Sequence, residues 1–108
     1  MIVGPPMTKQ STEVIDWAVD FKHELATGQY LATATFLAVL EADNTDVTTD
    51  LTFTALSIVG TSVVTQLIEG GVPGQTYMLE LQAVDNSGRV FEAERRMVVT
   101  DIITKPVL

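Results

Sequence analysis

The chain has 108 residues, enough for one domain around one core, and carries six Lys and Arg against fourteen Asp and Glu, a formal charge of −8. That balance opposes phosphate backbones and anionic lipid surfaces, so neither nucleic acid nor a membrane is expected as a partner. The absence of Cys excludes disulfides, thiolate zinc sites and Cys nucleophiles, leaving packing or neighbouring chains to supply stability.

About a third of the residues are Val, Ile or Thr, whose branched Cβ atoms suit a pleated sheet. Residues 1–11 hold Pro5 and Pro6 where a secretory leader needs a basic segment followed by an unbroken apolar one. They read as an N-terminal arm outside the core. From Thr12 to Phe21 the period is two, with Ile15, Trp17, Val19 and Phe21 on one face and Asp16, Ala18 and Asp20 on the other. Asp20 to Gly28 breaks the alternation with Lys22, His23 and Glu24, and reads as a turn or a single helical turn.

Tyr30 to Leu40 is nearly apolar throughout, which suggests a strand buried on both faces. Glu41 to Asp50 is an acidic, polar loop. The uncharged stretch Leu51 to Ile68 approaches the length of a membrane span, but its Thr and Ser residues and Gly60 divide it into two strands, Leu51–Val59 and Ser62–Ile68. The segment from Glu69 to Tyr77, EGGVPGQTY, must be a sharp connection, and Asp85-Asn86-Ser87-Gly88 a hairpin turn between strands at 77–84 and 89–100.

Six to seven short antiparallel strands follow from this pattern, as in an immunoglobulin-like β-sandwich spanning residues 12–101, with a small Greek-key barrel as the alternative. Tyr77 stands where such sandwiches place a tyrosine that hydrogen-bonds back to the preceding connection. Residues 102–108 read as a C-terminal arm.

Chemistry is scarce. His23 is the one histidine, it sits among charged neighbours in DFKHEL, and no Gly-x-Ser-x-Gly elbow exists for it to serve. Asp43, Asn44, Asp46 and Asp50 are spaced closely enough to suggest calcium. They lack the central glycine and closing glutamate of a helix-loop-helix site, and a solvated acidic loop is the expected reading. Gly70, Gly71 and Gly74 lead into a strand, not the helix that a phosphate cradle requires. No catalytic, cofactor or metal residue is assigned. Arg89, Arg95 and Arg96 alternate with Glu92 and Glu94 on the last strand, where cross-strand ion pairs are the ordinary explanation and protein binding the functional one.

The motifs VIDWAVDF, LATGQYLATATF, EGGVPGQTY and DNSGRVFEAE come in an order that resembles small immunoglobulin-like structural proteins of tailed bacteriophages, fibre-tail adaptor proteins among them. The likeness runs from Lys9 to Asp101. It implies a non-enzymatic virion component, made in the host cytoplasm and repeated in a symmetric ring or around the tail, that joins neck, tail and fibre proteins. Apolar residues of the arms, Met1, Ile2 and Val3 with Ile102, Ile103, Val107 and Leu108, fit protein contacts, since such segments can add to a neighbour's sheet. The second reading is a carbohydrate-binding or adhesion module of the same architecture. It would need exposed aromatics, whereas Trp17, Phe21, Phe36, Tyr77 and Phe91 are better placed as core.

Overall fold

A computed structural model describes residues 1–100, with the backbone alone at Ala55. The described residues form eight strands in two sheets. The strands are β1 (Ile2–Val3), β2 (Met7–Gln10), β3 (Ile15–Asp20), β4 (Leu31–Leu40), β5 (Leu51–Val59), β6 (Val63–Gly70), β7 (Thr76–Asp85) and β8 (Val90–Thr100). One sheet has the order β3-β6-β5. The other runs β4-β7-β8 and continues with β1 and β2, both paired to the far edge of β8.

The core lies between the layers and follows the period-two pattern. Trp17, Val19 and Phe21 of the β3 segment are buried, as are Val64 and Ile68 of β6 and Tyr77, Leu79, Leu81 and Ala83 of β7. Trp17 meets Phe36 edge-on at 5.5 Å between centroids, and Phe36 stacks on Phe53 at 5.7 Å, so one aromatic column joins β3, β4 and β5. Phe21 to Leu25 makes one turn, in which the Phe21 carbonyl accepts from the Glu24 and Leu25 amides. Leu51 to Ile68 is two strands, as its Gly60 implied.

Two expectations change. Residues 1–11, read as an arm, instead build two short strands parallel to β8, with Ile2 opposite Ala93 and Met7 opposite Met97. Pro5 and Pro6 do not prevent this, because they fall in the gap between β1 and β2 on a sheet edge, where a missing N–H is tolerated. Between Val3 and Met7 lie three residues against two between Glu94 and Met97, so the strand slips by one and bulges at the prolines.

β4 is not buried on both faces; it is the edge of its sheet. Its inward residues, Ala34, Phe36, Ala38 and Leu40, pack on the core, while Ala32, Thr33 and Thr35 are exposed. The apolar character of Val39 on the other face is accounted for locally. It is buried and forms a bridge with Asp46 in the loop that follows the strand. The C-terminal arm expected over Ile102–Leu108 lies outside the described residues.

Candidate protein-binding surfaces

The polar residues that the sequence offers as chemistry are placed one by one in structural roles. In the acidic loop, Asp43 accepts from the Thr45 amide at 3.0 Å, and Asp46 from the Thr48 amide at 3.0 Å and the Thr48 hydroxyl at 2.7 Å. These bonds to Thr45 and Thr48 hold both carboxyls below the usual carboxylate range. The Thr48 hydroxyl then caps the Ala38 amide on β4, so the acidic residues fold their own loop against the sheet. Among the described residues no group of His, Asp and Glu is arranged to hold a metal ion. His23 is exposed on the turn after β3.

Asp50 belongs to a different cluster. Tyr77, fully buried at the start of β7, accepts from the Val72 amide at 2.9 Å and donates to Asp50 Oδ2 at 3.0 Å. The corner tyrosine expected from the Gly-rich crossover is therefore present, and it also ties that crossover to the start of β5. Burial raises its pKa; the Val72 amide works the other way and Asp50 raises it further. Gly71 makes the approach feasible, since at φ +101° a Cβ would stand 2.8 Å from Val99 Cγ2.

The burial of three polar residues escaped the sequence reading. Lys9, on β2, is 0% exposed, and its Nζ donates to the carbonyls of Gln10, Ser11 and Gly70, the last at 2.6 Å. Gly70 ends β6, so this ammonium fastens the edge of one sheet to the other. Burial lowers its pKa, while Glu13 and Glu69 raise it. Gln66 lies inward opposite Trp17, where β5 bulges between Thr54 and Ser57; its Nε2 donates to the Thr54 carbonyl. Asp85 Oδ1 gathers the Ser87 amide and hydroxyl and the Arg89 amide, which fixes the β7–β8 turn. Burial pushes the Asp85 carboxyl up, but the Ser87 hydroxyl and the two amides outweigh it and leave its pKa lowered. A lysine whose neighbours are all polar carries no periodic signal of burial, so only the fold reveals it.

The arginines do not converge. Arg89 lies over the Phe91 ring at 5.3 Å, Arg95 donates to the Pro5 carbonyl at 2.6 Å inside the β1–β2 gap, and Arg96 pairs with Glu41 across the sheet face. Of the ion pairs to other strands expected for these three, the described residues show that of Arg96 with Glu41. On the outer face of the sheet, Glu80 stands directly opposite Glu94, and Gln82 opposite Glu92. Together with Met1, Thr35 and Leu37 they line a shallow acidic groove of about 230 Å³.

Exposed apolar side chains mark the remaining surface. Met1 is 73% and Val3 69% exposed, on the strand beside β8, and Val90 is 53% exposed at the hairpin end of β8. Met1 and Val90 line one hollow with Phe91. Ile2, by contrast, packs against the core. The expected positions of Trp17, Phe21, Phe36, Tyr77 and Phe91 in or against the core all hold. Tyr30 is the exposed aromatic.

No curated protein matches the chain. Over residues 9–100, which take in the last two residues of β2 and all of β3 to β8, the chain matches the family described as podophage GP4 fiber-tail adaptor protein gp77, and it belongs to that family.

Proposed function

We propose that this protein is a non-enzymatic structural adaptor of a tailed-phage virion, which joins neck or tail proteins to fibre proteins through contacts repeated by several copies. The family match carries the reading. The strand order supports an immunoglobulin-like form of the sandwich: β3-β6-β5 faces β4-β7-β8, the N-terminal strands run parallel to β8, and a corner tyrosine opens β7. Trp17 departs from the antibody pattern, being on the first long strand and packing edge-on against Phe36 of the next.

Contacts are assigned to the exposed apolar edge of Met1, Val3 and Val90, and to Arg96 on the acidic sheet face, where Arg is favoured at interfaces. Arg89 and Arg95 hold internal partners and contribute by shaping that edge. Ile2 positions it from below. Ile102, Ile103, Val107 and Leu108, outside the described residues, are assigned to the same contacts on their apolar sequence alone.

Point variants test this better than removal of the first ten residues, which would strip two strands from the sheet. Val3→Asp combined with Val90→Asp should leave the thermal transition of the purified domain in place and reduce incorporation into particles in a complementation assay. Normal incorporation of that folded variant sinks the assignment of this edge.

A further inference from the structure

Four strand edges border the two sheets, and they are finished differently. The β3 edge carries Asp16 and Asp20, and the β1/β2 edge is broken by Gly4, Pro5 and Pro6; charge and proline are the usual means of keeping an edge from pairing. The β5 edge is interrupted by the bulge between Thr54 and Ser57, which leaves Leu56 47% exposed. β4 alone presents a regular stretch without charge or proline. Its ends are tied by the Leu31 amide to the Thr61 carbonyl and by the Asp46 bridge, and between them Thr33 to Leu37 pair with β7 on one side only. Beside this edge, Ala32 and Ala34 face Leu56 and Ile58 across an open groove of about 340 Å³.

We propose that this groove accepts residues Ile102–Thr104 of a second copy of the chain, added as an extra strand along β4. The groove asks for an extended, uncharged segment with apolar side chains. Ile102-Ile103-Thr104 is such a run, β-branched throughout, and Pro106, lacking an N–H, ends the ladder soon after it.

The same chain cannot fill its own groove. Leu40 is level with Tyr77 and Tyr77 with Met97, so Thr100 is separated from Ala34 by six residues of β4 and three of β8. That is roughly 30 Å along the strands, before the two strand spacings are crossed. Thr104 reaches at most about 14 Å from Thr100. The contact is thus between copies, tail into groove, and a head-to-tail contact of this kind closes into a ring when the rotation allows. This inference rests on the reading of the protein as a component repeated in several copies.

A labelled peptide with the sequence of residues 100–108 should bind the full-length chain saturably in fluorescence anisotropy. Binding should fall at least tenfold for full-length Ala32→Lys and for Leu56→Lys, both exposed positions, with the near-ultraviolet dichroism of the domain unchanged. In sedimentation, the full chain should self-associate with concentration and the full-length Ile103→Asp variant should not. No saturable binding, or binding indifferent to both groove variants, overturns the proposal. So does self-association that Ile103→Asp leaves intact but Ala32→Lys abolishes, since copies would then meet edge to edge. If the peptide fails to bind while the Val3/Val90 variant is excluded from particles, only this inference falls. If the peptide binds and that variant incorporates normally, the edge assigned above falls and the groove stands.

Discussion

The two long sides of the sandwich show opposite solutions to the same problem. On the β1/β2 side the edge is closed by buried polar bonds, with Lys9 reaching three carbonyls, one of them in the other sheet, and Arg95 occupying the proline gap. On the β4/β5 side the bonds lie at the ends, from the Leu31 amide to the Thr61 carbonyl and from the Ala38 amide to Thr48, and between them the layers face one another through Ala32, Ala34, Leu56 and Ile58 around an open groove. The first side is sealed from within the chain, and the second is open to something outside it. Substitutions on the two sides should therefore differ in what they damage.

Lys9→Met retains the length of the side chain and removes its donors, leaving the Gly70, Gln10 and Ser11 carbonyls to water or to nothing. A loss of about 3 kcal/mol is expected, on the order of one charged hydrogen bond plus an unsatisfied acceptor, read as a lower urea midpoint with an unchanged slope. Gly71→Ala, at the same end, forces a Cβ against Val99 in a left-handed backbone and should cost about 2–3 kcal/mol. In a thermal melt that is roughly 10–20 °C for a domain of this size.

Tyr77→Phe isolates the bonds to Val72 and Asp50 and should cost about 1–2 kcal/mol. A loss below the error of the measurement would mean that the crossover is held by its glycines alone. Ala32→Lys, on the open side, should change stability by less than about 0.5 kcal/mol, as for an ordinary surface site. A large loss there would show that the β4 edge is sealed by internal packing no less than the β1/β2 edge.

The hairpin turn supplies a pH-dependent counterpart. Because the Asp85 pKa is lowered in the folded state, the bonds it accepts stabilise the domain above the unfolded carboxyl value of about 3.9 and are lost as the pH falls through the lower folded value. Asp85→Asn should flatten the acid limb of the stability curve without abolishing it, since Asp20, Asp43 and Asp46 are also lowered. An unchanged limb would assign the acid sensitivity to those three.

How far these features were legible follows from which interactions are local. The β3 alternation and the β7–β8 hairpin could be read because each is written within about ten residues, in side-chain period and turn chemistry. Tyr77 could be read because its partner amide is only five residues away. The pairing of residues 2–10 with β8 could not, because a short segment broken by two prolines shows no period and its partner lies some ninety residues on. β4 misled for a related reason. Of its outward apolar residues, Val39 is buried beside the loop that the strand leads into and Leu37 lines the groove on the sheet face, and a count of apolar residues cannot distinguish either from a second layer. The arginines were legible as a cluster in sequence but not in space, since their partners Pro5 and Glu41 come from other elements.

The pairing of β1 and β2 with β8 also sets an order of events in synthesis. β1 and β2 have no partner until Val90–Thr100 has left the ribosome, and the Gly70 carbonyl that Lys9 meets comes 61 residues after it. Contacts this distant are slow to form. The nascent chain must therefore wait, and a copy whose synthesis stops before β8 keeps its first ten residues unsheltered and cannot close its edge. Closure of this edge thereby doubles as a check that β8 has been made.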